Sequence, residues 1–201
     1  MPLDPRHEAA MATMSGLDPR EFRNAYLRDR AALDRGTMEA DEYWRRLLAR
    51  GGVEATPELL QRIEREDSLG WSQVNTTVVS WSYELREAGF RTGVLSNMPF
   101  EKLRFMRSDS RFRWISDFSV AFWSCEHKLI KPEASIYRAF LKEMGSAPEE
   151  CLFLDDVQEN VDGAHAVGIP AILFRSATEA ATELQSAWGL PVTRLRNGNL
   201  K

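Results

Sequence analysis

A chain of 201 residues, 43% of them hydrophobic, can bury one good core, or a core with a smaller helical domain beside it. Its 28% charged residues leave a net charge of −4, which argues against nonspecific nucleic-acid binding, because that requires basic patches to displace counterions. No run of about 18 apolar residues is present, so no membrane-spanning helix is expected. The segment from Met1 to Gly16 lacks the basic-then-apolar order of a signal peptide. Cys125 and Cys151 are the only cysteines, each in or beside an apolar run. A disulfide scaffold is excluded, and a reducing cytoplasmic location is expected.

Positions 4–88 read as helices. Asp4-Pro5 is a cap and first position for a helix running through Glu8 to Met14. Asp18-Pro19-Arg20-Glu21 opens another, in which Phe22, Ala25, Tyr26 and Leu33 recur near helical spacing. Thr37 is expected to cap the next, with Tyr43, Trp44, Leu47 and Leu48 as its apolar face and Gly51 at its end. Thr56-Pro57 opens a further helix, and Val78, Trp81 and Leu85 mark the last, stopped at Gly89.

Over positions 89–201 the pattern changes. Short apolar runs near 90–96, 118–123, 151–155 and 170–174 alternate with helical stretches, the clearest carrying Ile136, Tyr137, Phe140, Leu141 and Met144. Strands alternating with helices predict an α/β fold: a Rossmann-like parallel sheet with helices on both faces, here beside an N-terminal helical cap. His7, His127 and His165 have no metal-ligand spacing, and the six tryptophans read as core and interface residues.

Ligands of open parallel sheets bind just beyond the carboxyl ends of the strands. There this sequence places Ser96-Asn97, then Ser124 and Glu126 followed by Lys131-Pro132, then Asp155-Asp156. Singly, each has an ordinary explanation as a turn, a loop lysine or a helix cap. Together they are a hydroxyl donor, a cation and a carboxylate pair at one sheet edge. Such a pair suits Mg²⁺, which is usually held by one or two carboxylates plus substrate phosphate. A lysine neutralises phosphate charge, and a serine with backbone N–H groups holds its oxygens.

The order and local sequence resemble the haloacid dehalogenase-like hydrolase superfamily, from about Asp4 to Arg175. Val94-Leu95-Ser96-Asn97-Met98-Pro99 is similar to the family's second motif. Ser124-Cys125-Glu126 with Lys131-Pro132-Glu133 and Ile136-Tyr137 is similar to the third. Phe153-Leu154-Asp155-Asp156, with Asn160 and Gly163-Ala164, is similar to the fourth. The resemblance implies that Ser96 hydrogen-bonds a phosphoryl group, that Lys131 steadies nucleophile and phosphate, and that Asp156, supported by Asp155, holds Mg²⁺. It also implies that 4–88 is the small helical cap that selects substrate, with Arg28, Arg30, Tyr26 and Trp44 as candidate contacts.

Two departures stand out. Lys128 occupies a position, three before the motif lysine, where the family often has Gly. An extra cation there is expected to alter the loop. The larger departure is the first motif, an apolar strand ending in the nucleophilic Asp. Only Met1, Pro2 and Leu3 precede Asp4, and a strand takes about five or six residues. Asp4 therefore reads as a helix cap. The family's first strand lies between those ending at Ser96 and Asp155, so its absence leaves unpaired backbone groups costing about 1–3 kcal/mol each when buried. The expectation is a natural start upstream of Met1, adding roughly 10–20 residues with a strand that ends in Asp.

The resemblance implies a Mg²⁺-dependent phosphomonoesterase for a small phosphorylated metabolite, working through an aspartyl-phosphate, and inactive as it stands without the nucleophile. The alternative is a relative that binds a phosphorylated ligand or a protein partner without turnover. Dehalogenation is disfavoured by the Asp pair, because that chemistry needs no metal. A receiver domain is disfavoured by the order Ser96, Lys131, Asp155-Asp156.

Overall fold

The computed structural model describes residues 3–193; the end of the 89–201 stretch, from position 194, lies outside them. Helix α1 (Pro5–Ser15) starts where Asp4 accepts a hydrogen bond from the Arg6 N–H at 2.9 Å, so Asp4 is a helix cap, as its sequence setting predicts. Helix α2 (Pro19–Arg28) is capped by Asp18, which accepts from the N–H groups of Arg20 and Glu21. A short α3 (Arg30–Asp34) follows, then α4 (Ala40–Arg50). Thr37 does not cap α4. The capping position is Glu39, and the Thr37 hydroxyl instead donates to the Ala32 carbonyl at 3.1 Å, closing the turn after α3. Thr56 caps α5 (Pro57–Gly70) and Asn75 caps α6 (Thr76–Glu87).

Strands and helices then alternate: β1 (Gly93–Ser96), α7 (Phe100–Ser108), β2 (Val120–Trp123), α8 (Ser124–His127), α9 (Ala134–Met144), β3 (Phe153–Asp155), α10 (Gln158–His165), β4 (Ala171–Leu173) and α11 (Ala177–Trp188). Each strand falls inside one of the four apolar runs. The result is a helix-rich α/β chain. The described strands form two parts. Among the described residues β1 pairs with β2, and β3 pairs with β4 in parallel, with Asp155 opposite Leu173. No described strand bonds β1 to β3. No helix is long and apolar enough to cross a membrane, among the described residues.

The chain forms two compact units. One comprises Met1–Gln73, Ser96–Arg113 and Trp123–Ile130; the other comprises Val74–Leu95, Trp114–Phe122 and Lys131–Lys201. In the second, Trp81 of α6 packs with Ile172 of β4 and with Ala180, Ala181 and Leu184 of α11. The core of the first is built on Met11, Phe22, Tyr43, Trp44, Leu47, Leu48 and Ile63. Tyr43 meets Trp44 edge-on at 4.9 Å between ring centroids, a favourable aromatic geometry.

That core also holds buried charge. Asp67 is fully buried. It accepts from the Tyr26 hydroxyl at 2.5 Å and pairs with Arg30 at 3.2 Å and Lys102 at 3.0 Å. Arg30 also pairs with Asp34 at 2.8 Å. Burial alone would raise the Asp67 pKa, but Lys102 and Arg30 outweigh it and hold the carboxyl below its usual value. The neighbouring Glu101 carboxyl has one oxygen without a hydrogen-bond partner among the described residues. Burial pushes it up to about 7, against the opposing pull of Arg30 and Lys102.

A group whose folded pKa is raised holds its proton after the unfolded chain has released it. Stability should therefore fall as pH rises from about 4.5 to about 7. Glu101→Gln should flatten that fall. Urea melts should give the variant up to about 3 kcal/mol more stability than the parent at pH 8 and little difference at pH 4.5. Parallel stability curves for the two proteins across that window would contradict the assignment.

Candidate functional site

The sequence singles out Lys131, and in the second unit this side chain joins two strand ends. Its ammonium donates to the Leu95 carbonyl of β1 at 3.0 Å and to Asp155 Oδ2 at the end of β3 at 2.6 Å. Both side chains are more than nine-tenths buried. Such a pair persists only when its remaining polar valences are also met. They are met here: Asp155 Oδ1 accepts from the Val157 N–H and from Asn160 Nδ2, each at 2.9 Å. Asn160 is held in turn, its carbonyl accepting from the buried Tyr137 hydroxyl of α9 at 2.7 Å. The helix carrying Asn160 also lies close to the lysine's own segment. A β-carbon added at Gly163 of α10 would fall 2.6 Å from the Pro132 carbonyl oxygen, so only glycine fits.

The adjacent carboxylates therefore differ. Asp155 is committed to Lys131 and to the turn into α10, while Asp156 is exposed. In donor chemistry an exposed carboxylate such as Asp156 fits magnesium, whereas both oxygens of Asp155 already have partners. Asp156 is the oxygen donor with its surface open, and Asp155 buttresses the turn that presents it. Among the described residues no group of three or more His, Cys, Asp and Glu side chains is arranged to hold a metal ion.

Ser96 follows Leu95 directly, at the end of β1, and is half-buried; its hydroxyl lies 3.4 Å from the Asn97 carbonyl oxygen, too far for a strong bond. The next turn is fixed by a residue whose part the sequence did not reveal. Ser124, fully buried, accepts from the Met98 N–H at 2.8 Å and donates to the Asp34 carbonyl at 2.5 Å. A hydroxyl directly after the second apolar run was visible in the sequence, but its partners, 26 and 90 positions away, were not.

The candidate substrate contacts in the helical region fare differently. Trp44 is fully buried and Tyr26 is 5% exposed, so both are core residues with no surface to offer a ligand. Arg30 is consumed by Asp34 and Asp67. Arg28 is exposed and lines a shallow depression of about 290 Å³ with Leu17, Glu21, Asn24, Ala25 and Arg50, which includes none of the strand-end residues.

Known proteins bear on this arrangement. The structure is similar to that of a predicted haloacid dehalogenase-like hydrolase from Porphyromonas gingivalis, with a TM-score of 0.73, 21% identity, and coverage of 92% of this chain and 91% of that one. It is also similar to a family enzyme from Bacteroides thetaiotaomicron in complex with magnesium and inorganic phosphate, with a TM-score of 0.70, 20% identity, and coverage of 85% and 86%. At such identities the likeness shows the fold. Among curated relatives, a sesquiterpene phosphatase of Aspergillus oryzae is 26% identical over 159 residues, 78% of this chain and 77% of the relative. The bifunctional epoxide hydrolase 2 of Rattus norvegicus is 28% identical over 118 residues, 58% of this chain, and the matched stretch spans 21% of that protein's length. The model of the haloacid dehalogenase-like hydrolases matches residues 6–168, and the chain belongs to that family.

Proposed function

We propose that the chain carries the phosphate- and magnesium-handling part of a phosphomonoesterase acting on a small phosphorylated metabolite. The observation that supports this reading best is Lys131, a buried cation at the junction of two strand ends, with Ser96 next in sequence to one and Asp156 to the other. The family and the phosphatase relative point the same way. In this reading Lys131 balances phosphoryl charge, Ser96 and Asn97 hold phosphoryl oxygens, and Asp155 keeps Lys131 in place. Asp156 would hold Mg²⁺, which supplies charge neutralisation for the phosphoryl oxygens when bound. Positions 4–88, apart from α6, which packs with β4 and α11, serve as the cap that selects substrate, 89–201 as the core, and the protein works in the cytoplasm.

A second reading, binding of a phosphorylated ligand or protein partner without turnover, draws on a specific observation. Of the described strand-end carboxylates, Glu126 is paired with Arg107, Asp155 is spent on Lys131 and Asp156 is assigned to the metal; Asp4 is a helix cap. Neither reading gives this chain a free nucleophile. The chain assayed alone with an aryl phosphate and Mg²⁺ should show no turnover, like its Asp156→Asn variant. Robust hydrolysis that Asp156→Asn abolishes would place the nucleophile among these residues after all.

Magnesium should bind weakly, because an ion held by one or two carboxylates keeps most of its water. Titration calorimetry should give an affinity well short of micromolar, and a micromolar site would require another acidic ligand.

The burial of the ion pair predicts a stability pattern. Lys131→Met alone should cost about 3–5 kcal/mol, because Asp155 is left buried and unpaired. Combining it with Asp155→Asn should recover much of that loss in denaturant melts. Equal losses in the single and double variants would mean that the pair contributes nothing as a pair.

A further inference from the structure

Lys128 lies three residues before Lys131 and has a left-handed backbone, φ 58, at the end of α8, where a glycine would sit without strain. Its ammonium donates to the Gly36 carbonyl and lies 5.0 Å from the centroid of the Phe100 ring. Gly36, φ 69, follows α3 and is pressed against the same place from the other side. A β-carbon there would fall 2.8 Å from the Cys125 carbonyl oxygen and 2.8 Å from the Phe100 ring. Two residues earlier, the Asp34 carbonyl accepts from Ser124 at the start of α8. The last carbonyl of α3 and the Gly36 carbonyl in the turn after it are thus satisfied by side chains from the start of α8 and from its C-cap. All these residues belong to the first compact unit.

The geometry points to Lys128 as a positioning residue that latches the turn after α3 to the segment leading into Lys131. Lys128 is exposed as a residue, but its ammonium is engaged rather than left to water. Here that conformation aims the side chain at Gly36 and Phe100, and Gly36 has no side chain that would block the approach. The inference concerns the path of the 124–131 segment and is independent of phosphatase chemistry.

Hydrogen exchange on the full chain tests it. The amides of Gly36, Thr37 and Met38 donate to the carbonyls of Leu33 and Ala32, so they report directly on the latched turn. Lys128→Met removes the ammonium but keeps the strained backbone; Lys128→Gly removes both; Lys128→Arg keeps the charge. In the Met and Gly variants, exchange over 36–38 should speed up about tenfold, the loss expected for one hydrogen bond to a charged group. The Arg variant should match the parent. Lys128→Gly should melt no lower than the parent, because strain is relieved, which separates local release from global destabilisation. Unchanged exchange over 36–38 in both the Met and Gly variants, or acceleration confined to 124–130, would overturn the latch.

Discussion

The contact between Lys131 and Asp155 is the constraint on which the strand-end arrangement depends. Backbone ladders join β1 to β2 and β3 to β4. From β1 to β3 the link is an ammonium, which takes a backbone carbonyl on one side and a carboxylate on the other. Burying such a pair is costly unless every lone pair and proton finds a partner. The satisfied shell of Val157, Asn160 and Tyr137 is what makes it tolerable. Those partners draw the start of α10 and one face of α9 into the same corner. The charge to which the proposal gives a phosphate role thus organises local packing here.

Much of this was legible in the sequence because the signals are local. A cap bonds two or three residues ahead, so Asp4, Asp18 and Thr56 announce their helices from neighbouring residues alone. The four strands show as apolar runs, and the residues after them fall where strand ends must be. Thr37 misled because its hydroxyl had a nearer competitor, the Ala32 carbonyl five residues back. Tyr26 and Arg30 looked like ligand-facing residues because polar and aromatic types in a helix are ambiguous until their partners are known. Asp67, 41 positions from Tyr26 and 37 from Arg30, settles both as interior. Which strand edges pair was not legible from the apolar runs themselves, because such a run shows that a strand exists without showing its neighbour.

The two buried lysines show how far satisfaction separates function from packing. Lys102 lies 3.0 Å from Asp67, but no hydrogen bond to it is well directed, and the same carboxylate already serves Tyr26 and Arg30. Burial pulls its ammonium down to about 8, so part of its charge is given up near neutral pH. Lys131 has two well-formed acceptors, 3.0 and 2.6 Å away, one of them a carboxylate anchored on its other oxygen.

A cation held in that way is preoriented, and preorientation is what phosphoryl chemistry asks of a lysine. The split between the neighbouring carboxylates follows from the same logic. A group that must both fix a lysine and bind a metal would lose one task whenever it performed the other. Under the proposed function, burying Asp155 and leaving Asp156 exposed would divide the tasks between adjacent residues on one tight turn.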